Sequence, residues 1–228
     1  MKSGSTGVKD WQFDEDIASR FVEHARQHIP NYEAVIDKCT NYCELNLPKD
    51  AKIIDVGCAT GHTLNRLHDR GFTDLYGVDN SEAMIRQAPK DIATYTVGDR
   101  FPEGHFDMIL CNWTLHFMKD KISYLTAMRD GLSENGTMII SEKISKDPDR
   151  VKMYHDQKKR LGVSQQEIEQ KQKQLENVMH IDSIDWYKRI LKTLGFEVTI
   201  IDADWCFATF LCKKEKDTWT HWTYHTGW

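Results

Sequence analysis

The feature that most constrains this chain is an alternation. Between Ala51 and Glu142, short apolar runs give way four times to segments of helical period. "AKIIDVG" reads as a buried strand, and "TLNRLHDRG" as a helix with Gly71 as its left-handed cap. "LYGVD" is the next strand, Ser81 caps a helix over "EAMIRQA", and "TYTVGD" leads through a loop into "FDMILCNW". "KISYLTAMRDGL" then reads as a helix before "GTMIISE". Strands separated by helical crossovers pair in parallel, so the expected fold class is α/β, a mostly parallel sheet with helices on both faces.

The pattern differs on either side of this core. Phe13 to His28 places Ile17, Phe21, Val22 and Ala25 at helical spacing and stops at Pro30; a second helix runs from Tyr32 to Glu44. Residues 10–46 thus read as an N-terminal helical lid. Residues 147–179 are polar and helical, interrupted at Gly162 and restarting where Ser164 and Glu167 suit a capping box. A helix from Ser183 to Leu194 ends at Gly195, which makes 147–194 a helical insertion. "EVTIIDADWCFATFLCK" gives two strands around a short acidic turn, as an antiparallel C-terminal edge would. The tail, residues 213–228, carries three tryptophans and no period; docked and frayed forms both stay open, and exposed aromatics at that density would suggest a contact. A chain of 228 residues suits one domain, 1–228.

Charge and cysteine usage narrow the function. Thirty basic against 35 acidic residues give a net charge of −5, which does not suit a surface that neutralises many phosphates, so direct nucleic-acid binding is not expected. No apolar run reaches the length of a signal peptide or a membrane span; the expectation is a soluble, cytoplasmic protein with a small-molecule substrate, and a homodimer is left open. The six cysteines form no Cys-x-x-Cys pair and read as reduced, buried thiols. His24 with His28, and Cys39 with Cys43, stand one helical turn apart without further ligands, so no metal is expected.

The turn "DVGCATG" carries the chemistry. A pyrophosphate-binding turn needs a central glycine in Gly-x-Gly-x-x-Gly, and here Cys58, Ala59 and Thr60 separate Gly57 from Gly61. No Lys-Ser or Lys-Thr follows, so the phosphate-loop pattern fails too. What remains is a turn, preceded by Asp55, that can pass close beneath an uncharged ribose and an amino-acid chain. Asp79 ends the next strand, 22 residues beyond Gly57, where a carboxylate can accept both ribose hydroxyls. Asp99 closes the third strand and Asn112 the fourth, which aligns four polar side chains on the edge where open α/β sheets bind ligands.

The motifs "IIDVGCATG", "GVDNSEAMI", "VGD" and "FDMILCNWTLHF" resemble those of class I S-adenosylmethionine-dependent methyltransferases. The likeness extends through "DWQFDEDIASRF", "IPNY", "ISEKIS" and "HDQKKRLGVSQQEIEQKQKQLENVMHIDS", which are similar to the bacterial carboxy-S-adenosylmethionine synthase family. The resemblance implies a Rossmann-like class I methyltransferase fold that binds S-adenosyl-L-methionine and yields S-adenosyl-L-homocysteine. It places Tyr32 at the methionine end of the cofactor and Gly57, Cys58 and Ala59 along its backbone. Asp79 and Asn80 fall at the ribose, Asp99 and Arg100 at the adenine, and Asn112 near the sulfonium.

One departure bears on the reaction. In the resembled family an arginine after "DS" grips the product's carboxylate, and in "DSIDWYKRILKTLGF" that position holds Ile190. Arg189 is adjacent, but one step along a helix turns a side chain by about 100°. The leading expectation is methyl transfer to a small molecule, with Tyr187 and Arg189 at the acceptor site and His116, Glu142, Tyr154, His155 or Tyr187 as candidate bases. The alternatives are carboxy-S-adenosylmethionine synthesis from prephenate in support of tRNA wobble-uridine modification, an elimination or cyclisation of the cofactor, and a non-catalytic binding protein.

Overall fold

The computed structural model describes residues 15–215, so the end of the tryptophan-bearing tail lies outside the described residues. Seven strands form one sheet: β1 (Ile53–Val56), β2 (Leu75–Asp79), β3 (Thr94–Val97), β4 (Phe106–Asn112), β5 (Leu132–Lys143), β6 (Phe196–Asp204) and β7 (Phe207–Lys214). Their order is β3-β2-β1-β4-β5-β7-β6. The first five pair in parallel, and β7 runs antiparallel to both β5 and β6, as expected for the C-terminal edge. The chain leaves β1 toward β2 and β3 on one side and returns to β4 on the other. This reversal opens a crevice at the carboxyl ends of β1 and β4.

Alternation along the strands divides the core between the two faces. Ile54, Ile109 and Cys111 pack with Leu125 and Met128 of α6 (Lys121–Asp130) and with Tyr187 and Leu191 of α9 (Ile184–Thr193). Ile53, Met108 and Leu110 pack on the opposite face with Cys39 and Cys43 of α3 (Tyr32–Asn46) and Leu64 and Leu67 of α4 (His62–Asp69). The six cysteines are buried and unpaired, and all but Cys206 fill these layers as small apolar groups.

Side-chain caps fix where the helices start. Ser81 accepts from the backbone N–H of Met84 in α5 (Glu82–Gln87), and Asp147 does the same for Arg150 in α7 (Pro148–Arg160), where Pro148 occupies the first turn. Ser164 accepts from Glu167 N at the start of α8 (Gln165–Leu175), and Ser183 from Trp186 N in α9. Gly162 and Gly195 both adopt the left-handed conformation that ends a helix.

The N-terminal segment differs from the single helix expected over Phe13 to His28. It is broken into α1 (Glu15–Ser19) and α2 (Phe21–His28), because the two pieces pack against different partners. Ile17 and Ala18 join Ala59 and Met84 beside the glycine turn, whereas Ala25 joins Tyr32 and Ile36 of α3. No helix among the described residues is long and apolar enough to cross a membrane.

Candidate active site at the carboxyl edge of the sheet

The glycine turn follows β1 directly. Gly57 and Cys58 donate backbone N–H groups to Val78 O at 2.8 and 3.1 Å, which pins the turn to the end of β2. Gly57 has φ +70°, and a Cβ there would stand 2.0 Å from the Thr114 hydroxyl. Only glycine meets both conditions. Asp79 secures the other flank, accepting from Ala59 N at 2.9 Å and from Ser81 N at 2.8 Å.

These elements line a cavity of about 1550 Å³ that opens at the carboxyl ends of β1, β2 and β4. It exceeds the volume usual for one small ligand. Asp55 sits in its wall only 3% exposed, and burial followed by the nearby Asp79 carboxylate raises its pKa to about 8. Burial also raises Asp79. Tyr32 stacks on His62 with ring centroids 5.9 Å apart and meets Trp113 at 5.1 Å, which closes the side beneath α2 and α3. At the end of β4, Asn112 Oδ1 accepts from Ser141 Oγ at 2.7 Å, while its buried Nδ2 has no partner among the described residues. A buried donor left unmet costs about 1–3 kcal/mol. Asn112 is a residue of the cavity wall.

Beyond Asn112 the chain turns sharply through Trp113, at φ +56°, into a short 3-10 helix, Leu115–Phe117. The side chain of Glu142 on β5, fully buried, holds this turn. Its Oε1 accepts from Thr114 N (3.1 Å) and Leu115 N (2.7 Å), and its Oε2 from His116 N (2.9 Å) and His116 Nδ1 (2.7 Å). The Tyr187 hydroxyl donates to the same Oε2 at 3.5 Å. Three successive backbone donors at a helix start would otherwise be orphaned.

The far lobe of the cavity lies beneath α7 and α8 and is basic. Lys143 and Lys158 lie over the Tyr154 ring at 5.1 and 4.1 Å from its centroid, and Lys171 joins them in the wall. Among the described residues, neither Lys143 nor Lys158 makes an ion pair. Burial, then Lys143, lowers Lys158 to about 7; burial, then Lys158, lowers Lys171 to about 6. The Tyr154 hydroxyl donates to His28 O at 2.7 Å, joining α7 to α2 across the lobe.

The cavity thus has an acidic pole at the strand ends and a basic pole under the helices. The model of one family, described as a methyltransferase domain, matches residues 23–200. A carboxy-S-adenosyl-L-methionine synthase of Campylobacter hominis is 31% identical, over 90% of this chain and 95% of its own. This chain belongs to the methyltransferase domain family, in the carboxy-S-adenosylmethionine synthase group. Solved methyltransferases share its fold at lower identity. The plantazolicin methyltransferase BpumL, in complex with a triazolic desmethylPZN analogue and S-adenosylhomocysteine, aligns with TM-score 0.68 at 15% identity, over 88% of this chain and 92% of its own. The magnesium protoporphyrin IX methyltransferase of Synechocystis aligns with TM-score 0.65 at 14% identity, over 89% and 96%.

In this methyltransferase, nine of the residues singled out in the sequence meet in one wall: Tyr32, Asp55, Gly57, Cys58, Ala59, Asp79, Asn80, Asp99 and Asn112. Gly61 and Arg100 do not. Gly61 caps α4, where a Cβ would stand 2.5 Å from Tyr95 Oη, and Arg100 is exposed. Tyr187 and Arg189 are outside the wall as well, which corrects the placement expected for them. Tyr187 is fully buried against Phe210 because α9 turns it into the core, and Arg189 is exposed. Ile190 packs partly buried against that core. Of the candidate bases, Glu142 spends its carboxylate inside the protein, Tyr154 lines the cavity with its hydroxyl committed to His28 O, and His116 and His155 line the cavity as well. Lys143, Lys158 and Lys171 went unnoticed in the sequence. For Lys158 and Lys171 the polar period of α7 and α8 reads as a solvated face, and only docking turns part of it inward; Lys143 stands at the end of β5, where it reads as a strand terminus.

Proposed function

We propose that this methyltransferase binds S-adenosylmethionine along the ends of β1, β2, β3 and β4 and transfers its methyl group to a small, negatively charged acceptor. The opposition of charge within one cavity carries this reading. Asp55, Asp79 and Asp99 suit a ligand with a sulfonium, an ammonium and ribose hydroxyls, and the unmet Asn112 donor suits a carboxylate or carbonyl. Lys143, Lys158 and Lys171 suit an anion beside it. The bound sulfonium supplies an electrophilic methyl group. The protein aligns the acceptor and excludes water, with α2, α7 and α8 roofing the site.

A second reading is carboxy-S-adenosylmethionine synthesis from prephenate, supporting wobble-uridine modification of tRNA. The near full-length likeness to the Campylobacter hominis synthase favours it, and the basic lobe would accept that dianion. Against it stands Ile190, an apolar side chain where the family's carboxylate-gripping arginine belongs, with Arg189 exposed and outside the cavity wall. One experiment separates the two. Purified protein is incubated with S-adenosylmethionine and either prephenate or a panel of small carboxylic and phosphoric acids bearing O–H, N–H or S–H groups. Methylated acceptor together with S-adenosylhomocysteine supports transfer. A carboxylated sulfonium from prephenate supports synthesis. Unaltered S-adenosylmethionine throughout overturns both.

A further inference from the structure

We infer that His116 accepts the proton of the acceptor's nucleophile, with Glu142 as its positioning residue, so the acceptor reacts through an O–H or N–H group that ionises as it reacts. The inference rests on the methyl-transfer reading above. Its basis is the asymmetry of the His116 ring. Nδ1 lies 2.7 Å from Glu142 Oε2, and a carboxylate can only accept, so in the neutral ring the hydrogen sits on Nδ1 and the Nε2 lone pair is bare. The side chain is 3% exposed, it forms part of the cavity wall, and Nε2 has no hydrogen-bond partner among the described residues.

A histidine that only braced the turn would have no use for that bare nitrogen. The turn is already held by the backbone N–H groups of Thr114, Leu115 and His116 on the same carboxylate. Nε2 is not among the buried side-chain atoms left without a partner; it belongs to a side chain of the cavity wall, where a donor on a bound molecule can reach it. The cavity is where such a donor arrives. The titratable neighbours are Glu142 from β5, Tyr187 from α9, which donates to Glu142, and Cys111 from β4, held as the thiol by burial.

The arrangement orients an imidazole by a buried carboxylate, as general-base catalysis requires. Nε2 takes the proton from the O–H or N–H group as the lone pair of that oxygen or nitrogen forms the bond to the methyl carbon. The former carbon–sulfur pair remains on sulfur, which leaves neutral S-adenosylhomocysteine. Glu142 balances the imidazolium until its proton passes to solvent.

Two measurements test this. The first is nitrogen NMR of histidine-labelled protein with S-adenosylhomocysteine at pH 8, in which His116→Gln assigns His116 among the ten histidines. A ring protonated on Nδ1 alone, and a loss of that preference in Glu142→Gln, are expected; a ring protonated on Nε2 overturns the inference. The second is kinetic and uses His116→Asn, which keeps an amide donor for Glu142. With O–H or N–H acceptors kcat is expected to fall about 100- to 10,000-fold. S-adenosylhomocysteine affinity stays within about threefold, and an acceptor supplied as a thiolate loses less than about tenfold, because no proton is removed. Equal loss with both acceptor types, or an unchanged kcat, overturns the inference while transfer stands. Wild-type protein that releases no S-adenosylhomocysteine with any acceptor defeats transfer and this inference together.

Discussion

Asp55→Asn is expected to uncouple cofactor binding from proton release. In the free protein burial and Asp79 hold Asp55 at about 8, against 3.8 for an unperturbed aspartate. At pH 7 roughly nine-tenths of the molecules therefore carry the proton. A bound ligand with net positive charge favours the ionised form and returns the group toward its ordinary value. Binding at pH 7 then releases roughly 0.9 proton, and affinity rises nearly tenfold per pH unit until it levels near pH 8. Calorimetry in buffers of different ionisation enthalpy measures the released proton directly, and the asparagine variant corrects for titration of the ligand itself. The free protein has a matching signature. Folded Asp55 keeps its proton up to about pH 8, whereas the unfolded chain loses it near 3.8, so the folded state binds more protons between those values. Stability falls across that window as pH rises, by up to about 1.4 kcal/mol per pH unit, and Asp55→Asn lacks that slope. Equal proton release by wild type and variant, with affinity flat from pH 6 to 8, would refute the reasoning.

Four further outcomes are expected. Lys158→Met raises the melting temperature more at pH 7 than at pH 10.5. Below about 7 the folded lysine is charged and buried at full cost, and above that value the folded form is neutral while the unfolded one stays charged to 10.5, so wild-type stability climbs with pH and the variant's does not. Inorganic sulfate raises the melting temperature of wild type at pH 6.5 by pairing with Lys143 and Lys158, and the combined Lys143→Met and Lys158→Met variant loses that response. Asp79→Asn weakens S-adenosylhomocysteine binding about 10- to 100-fold by calorimetry, since a charge-assisted acceptor for the Ala59 and Ser81 N–H groups becomes neutral. Gly57→Ala, with a Cβ 2.0 Å from Thr114, unfolds at lower denaturant by more than about 2 kcal/mol and loses the same ligand.

The parts of the fold legible in the sequence are those set by local chemistry. Short apolar runs alternating with helical segments marked the parallel strands, Ser81, Ser164 and Ser183 marked helix starts, and Gly162 and Gly195 marked stops. The strand-end side chains Asp55, Asp79, Asp99 and Asn112 were legible as one wall because the architecture brings strand ends together. What escaped depends on packing between distant segments. The break at Arg20 reflects two competing surfaces rather than any breaker residue. Tyr187 read as a candidate acceptor group, yet the phase of α9 sends it into the core. Glu142 read as a candidate base, and only tertiary structure reveals that it is occupied as a hydrogen-bond acceptor.

Thr114 gives the two ends of the cavity a common pivot. Its backbone N–H rests on Glu142, its hydroxyl reaches Val56 O at 3.2 Å, and its side chain fills the space that a Cβ on Gly57 would need. The glycine turn after β1 and the turn that carries His116 therefore mesh like cogs. A displacement of either turn has to be accommodated by the other, because one threonine is wedged between them.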